Sequence, residues 1–241
     1  QPYTAVYPYA RNPELRDISA RCMRSVNDQF VMLRDYLKTS GLADGAMIVL
    51  YSDHGSGWDR KYLRLSHGSN FDCIEAYRSI LSIHAPGIPA GHEVAARVRM
   101  IDIYPTVLEW LELNPVSGID GKSLLALAGG QNESEPRAVF AETGYTMDFR
   151  YNGDPFSEGQ QIRNEVKRFK VDAGTGHIFI NDGDYQDVIA RKWYMLIDGN
   201  YRFVWQPWTR TETLSDLDGE PVLDPAIARA MQEKLERYRR Q

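Results

Sequence analysis

Two cysteines, Cys22 and Cys73, are too few for a disulfide framework, and no Cys-x-x-Cys pair offers a thiolate metal site. Long apolar runs are missing too. Nothing approaches the uninterrupted stretch of about 18 residues that reads as a membrane-crossing helix. There is no basic block, and a net charge of −5 speaks against a nucleic-acid partner. Internal repeats and low-complexity tracts are absent, and 43% hydrophobic with 25% charged residues argues for a folded core rather than disorder. The chain starts at Gln1 in place of an initiator Met, without a charged-then-apolar leader, and so reads as a processed or excised piece.

What is present is a succession of helix and strand signals. Ile18, Cys22, Val26, Phe30, Leu33 and Leu37 recur at three- and four-residue spacing, which predicts an amphipathic helix from Arg16 to Lys38 with Cys22 as a small core residue. After Gly41, the run Ala46 to Tyr51 reads as a buried strand, giving the helix–turn–strand–loop order of an α/β unit. Arg78 to Ala85 reads as a second strand and Ile101 to Leu113 as a second helix, with Pro105 acceptable in its first turn. Gly129 to Pro136 is the best linker. Beyond it, Ala138 to Glu142 is a short strand, and Tyr194–Ile197 with Tyr201–Trp205 flank Asp198-Gly199-Asn200, a strong hairpin signal. Pro225 to Arg240 is a terminal helix with a basic last turn. The expected organisation is α/β over residues 1–130 and a small α+β subdomain over 137–241; residues 143–190 carry no assignable pattern.

Ser52-Asp53-His54-Gly55 places a carboxylate and an imidazole at the end of a strand, where open α/β sheets bind ligands. Asp and His before a glycine fit two metal ligands on a tight turn, and they equally fit a plain polar turn. The stretch that follows is long, polar and glycine-bearing. It holds Trp58, Asp59, Arg60, Lys61 and Arg64 and reaches His67-Gly68-Ser69-Asn70; loops of that length in compact domains are often functional.

The order of these pieces resembles the carboxyl-terminal half of the sulfatase family, within the alkaline phosphatase superfamily. The matching residues are Asn27-Asp28 on the first helix, Ser52-Asp53-His54-Gly55, His67-Gly68, Glu75 and Arg78 before Ala85-Pro86-Gly87, Asp102-Ile103-Tyr104-Pro105-Thr106, and Gly118 to Leu124. More loosely, Leu214-Ser215-Asp216-Leu217 resembles a segment of the family's small terminal domain. The resemblance implies part of an alkaline-phosphatase-like sheet with flanking helices, plus a small α+β subdomain.

It also implies a chemistry. Asp53 and His54 become two ligands of a divalent metal, calcium or else zinc or manganese, and His67 the donor of a proton to the leaving oxygen or a second-metal ligand. Lys61 and Arg64 are weaker candidates for the substrate's anionic group, since a charge run is commonly a solvated face. Glu75 with Arg78 reads as a structural ion pair, and His84 and His92 as structural or exposed. The implied substrate is a small-molecule or carbohydrate sulfate ester, with phosphate esters the alternative, and the family's habit is periplasmic or secreted. Neither cysteine stands in the Cys/Ser-x-Pro-x-Arg segment that becomes formylglycine, so the nucleophile is expected in a missing upstream segment. The competing reading is a non-catalytic fragment, or a subunit completed by a partner.

Overall fold

The computed structural model describes residues 14–55, 57–59, 64–66, 71, 74–114, 116–133, 136–144 and 155–240, with 14–21, 57–59, 64–66, 75 and 155–158 described as backbone only. These residues fall into two compact units that divide between Arg137 and Ala138, Phe71 grouping with the second.

The first unit opens with helix α1 (Glu14–Thr39). Strand β1 (Ile48–Tyr51) follows. Where the sequence reads as a loop, the chain forms two antiparallel three-residue strands, β2 (Gly57–Asp59) and β3 (Arg64–Ser66), then a one-turn helix α2 (Ile74–Tyr77). Strand β4 (Leu81–His84) comes back antiparallel to β1, pairing Ile48 with His84 through to Tyr51 with Leu81. A 3-10 turn at Met100–Asp102 runs into α3 (Ile103–Trp110), and α4 (Leu125–Ala128) closes the unit.

Two expectations change here. β1 is not buried: Leu50 is 37% and Tyr51 55% exposed. The cause is that β1 and β4 form a two-stranded sheet among the described residues, too narrow to cover both faces. Likewise Cys22 on α1 is half-buried rather than in the core, and Val26 and Leu33 of its apolar stripe are exposed.

The firmest part of this unit is polar. Asp102 is fully buried. Its carboxylate accepts from Arg99 Nη2 at 2.8 Å and from the Lys122 backbone N–H at 2.9 Å, and pairs with Arg137 Nη1 at 2.8 Å. Arg137 also donates to the Lys122 and Ser123 carbonyls at 2.8 and 3.0 Å and pairs with Glu133. Thr106 Oγ1 accepts from Leu124 N–H at 2.9 Å. The segment 120–124 is thereby strapped to the start of α3. Gly121 makes the approach possible, since a Cβ there would collide with the Ile101 carbonyl.

The second unit is built on a four-stranded antiparallel sheet. Its elements in chain order are β5 (Val139–Glu142), α5 (Pro155–Val166), β6 (Phe169–Val171), β7 (Ile178–Ile180), α6 (Tyr185–Ala190), β8 (Tyr194–Asp198), β9 (Tyr201–Gln206), β10 (Thr211–Asp216) and α7 (Pro225–Arg239). The sheet order is β10-β9-β8-β5, and β6 pairs with β7 in a separate hairpin. Gly199 takes the positive φ, +52°, that the tight β8–β9 turn requires. Helix α7 begins at an Asp224 cap whose carboxylate accepts from Ala226 and Ile227 N–H. It seats Met231 and Leu235 on Tyr194, Leu196 and Phe203. Burying side chains of this size stabilises by roughly 1.5–3 kcal/mol each. No helix among the described residues is long and apolar enough to cross a membrane.

Candidate functional site

β1 ends at Tyr51, and the next four residues make the turn of interest. Ser52 N–H donates to the Ile80 carbonyl at 3.3 Å, and Gly55 N–H to the Ala76 carbonyl at 3.1 Å. Asp53 and His54 lie between these two anchors. Asp53 Oδ1 accepts from its neighbour's backbone N–H at 2.9 Å, which commits that oxygen to the turn. His54 Nδ1 contacts the Gly55 carbonyl at 2.6 Å. A carbonyl can only accept, so Nδ1 carries a proton and donates it to that contact. Nε2 lies 3.5 Å from Asp53 Oδ2, with the Asp53 and His54 side chains 85% and 43% exposed.

A carboxylate oxygen and an imidazole nitrogen at that distance are bridged by a proton on the ring or by a cation held between them. For bonds of about 2.0–2.6 Å, a separation near 3.5 Å suits two adjacent ligands of one divalent ion. Asp53 and His54 therefore fit a divalent metal as a partial ligand set. Among the described residues no group of three or more His, Cys, Asp and Glu converges.

The other residues singled out by sequence are placed differently. His67 and Lys61 lie outside the described residues, as do the side chains of Arg64, Trp58 and Glu75. His84 and His92 are exposed and line a groove of about 610 Å³ formed by β4, the segment 88–94 and α4, with Glu93 beside them. His177 is exposed in the second unit, its ring edge-on to Phe179. Sequence reasoning passed over Arg137, whose tie to Asp102 leaves no local trace. Ser52, within the same motif as Asp53 and His54, carries no role that its sequence context reveals.

The chain is similar to known proteins over much of its length. The Sulfatase family model matches residues 1–113. Residues 1–113 belong to the sulfatase family. This sulfatase segment includes the β1 turn with Asp53 and His54. A sulfatase of Formosa agariphila is 32% identical over 124 residues, which cover 52% of this chain and 24% of that protein. The multifunctional alkaline phosphatase superfamily protein PehA of Trinickia caryophylli is 33% identical over 155 residues, covering 64% of this chain and 28% of its own length. The chain thus spans about a quarter of the curated relatives it matches. Among solved structures, a phosphonate monoester hydrolase from Silicibacter pomeroyi superposes with a TM-score of 0.64 at 24% identity, over 100% of this chain and 44% of that one. The sulfatase segment and the unit after it therefore have an alkaline-phosphatase-like fold.

Proposed function

We propose that the protein carrying this chain hydrolyses sulfate esters, with a divalent metal held in part by Asp53 and His54. The observation that carries the reading is the 3.5 Å separation of Asp53 Oδ2 and His54 Nε2, with Asp53 Oδ1 and His54 Nδ1 engaged within the turn. A cation there, calcium or else zinc or manganese, would neutralise charge on the ester's oxygens and lower the pKa of the nucleophile. His67 is assigned the proton delivered to the leaving oxygen, and Lys61 and Arg64 the anionic group. The nucleophile, a formylglycine in this reading, and the remaining ligands come from outside these 241 residues, because neither Cys22 nor Cys73 has a Cys-x-Pro-x-Arg context.

A second reading, hydrolysis of phosphate or phosphonate esters, is favoured by His67-Gly68. The test is made on the full-length protein. Asp53→Ala and His54→Ala should each weaken divalent-cation binding by more than the roughly 10–100-fold typical of outer-shell changes, and should abolish turnover. Unchanged cation affinity in both variants removes the pair from the metal site. Relative kcat/KM on para-nitrophenyl sulfate, para-nitrophenyl phosphate and a para-nitrophenyl phosphonate decides between the two readings.

A further inference from the structure

We propose that Ser52 is the positioning residue of the Asp53–His54 pair, an inference that rests on the reading of that pair as metal ligands. Continuing the β1–β4 register one step beyond Tyr51 and Leu81 sets Ser52 opposite Ile80. In a regular antiparallel ladder, a hydrogen-bonded pair exchanges two backbone bonds. Here one of the two is replaced. Ser52 N–H donates to the Ile80 carbonyl at 3.3 Å, but Ile80 N–H donates at 3.1 Å to the Ser52 side-chain hydroxyl. The hydroxyl stands in for Ser52's own carbonyl, so the last rung is closed while the backbone after Ser52 is released to turn.

That release is what the two ligands need. Successive side chains of a continuing strand point to opposite faces, so an Asp53 and a His54 still in the strand could not reach one ion. Leaving the ladder at Ser52, and being pinned again where Gly55 N–H meets the Ala76 carbonyl, brings Oδ2 and Nε2 to 3.5 Å. Alanine at position 52 has no side-chain acceptor. Ile80 N–H then recruits the residue-52 carbonyl, the strand runs on, and Asp53 swings away from His54.

The experiment uses the full-length protein that carries this chain and Mn²⁺ as probe, reading paramagnetic broadening of the backbone amide signals of residues 53–55 in an NMR titration. The parent should broaden there. In Ser52→Ala the Mn²⁺ dissociation constant should rise about 10–100-fold, the range for groups that orient metal ligands. Ser52→Thr, which restores the hydroxyl, should stay close to the parent. Ser52→Cys keeps the shape but offers a weak acceptor, and should behave as Ser52→Ala even if the alanine variant fails to fold. Amide exchange at Ile80 should be slow in the parent and in Ser52→Thr, and fast in Ser52→Cys. A merely structural role would lower the melting temperature and leave the Mn²⁺ affinity of the folded protein in place. Parent affinity in Ser52→Ala or Ser52→Cys overturns this inference alone, as does a Ser52→Thr variant no better than alanine. A full-length parent that shows no broadening at residues 53–55 overturns the metal-site reading with it.

Discussion

His54 is held by different neighbours at its two ring nitrogens, and that difference gives each nitrogen its own task. The Gly55 carbonyl takes the Nδ1 proton, and Nε2 faces the Asp53 carboxylate. Adjacent Asp and His before Gly were enough to raise a metal pair from sequence. The proton on Nδ1 was not legible, because it is set by where the Gly55 carbonyl points after the turn. His67 belongs at this scale as well. A proton donor to the leaving oxygen, the role proposed for it, matters most when that oxygen leaves as a strong base. On the full-length protein, His67→Ala should slow esters with poor leaving groups by about 10²-fold or more while largely sparing activated aryl esters. The measurement is a plot of log kcat/KM against leaving-group pKa, which should be steeper in the variant. Parallel lines would assign His67 to metal binding or structure.

Elements are where sequence periodicity served best and then stopped. α1, β1, β4, α3, β5, the β8–β9 hairpin and α7 all carry a periodic or turn signal long enough to read. β2, β3, β6 and β7 have three residues each, too few for alternation to show. α5 interrupts its few apolar positions with Gly159 and a mostly polar run, so its pattern resembles a loop. Between elements, Asp102 decides how α3 and the segment 120–124 sit. Burial by itself would raise its carboxyl, but hydrogen bonds from Arg99, the Lys122 N–H and Arg137 outweigh this and hold it below the usual carboxylate range. A carboxyl lowered by folding stabilises fully above its unfolded value, and the contribution is lost as pH falls through the folded value. Asp102→Ala should therefore cost about 3–5 kcal/mol in urea unfolding at neutral pH, since it leaves Arg99 and Arg137 without their buried counter-charge. The gap between variant and parent should narrow on acidification below about pH 4. A pH-independent gap would mean that the carboxylate is replaceable.

Over the whole molecule, the stretch read as a linker, Gly129 to Pro136, turns out to be fastened at Glu133, and the adjoining Arg137 reaches into the Asp102 cluster of the first unit. The chain also covers 24% of the Formosa sulfatase and 28% of PehA. If nucleophile and further ligands are supplied from elsewhere, the isolated 241 residues should give no turnover of para-nitrophenyl sulfate or phosphate above buffer background, whereas the full-length protein should turn over one of them. Turnover by the isolated chain, abolished by Asp53→Ala, would show that it holds its own nucleophile.

By itself the sequence determined the class of fold, the family and the place of Asp53 and His54 at a strand end, because periodicity and a four-residue motif are local properties. Tertiary structure decided how those residues are held. β1 and β4 run antiparallel, Ile80 closes on the hydroxyl of a serine 28 positions away, and Asp102 finds Arg137. Each of these depends on chain segments brought together by packing, and no window of sequence contains both partners.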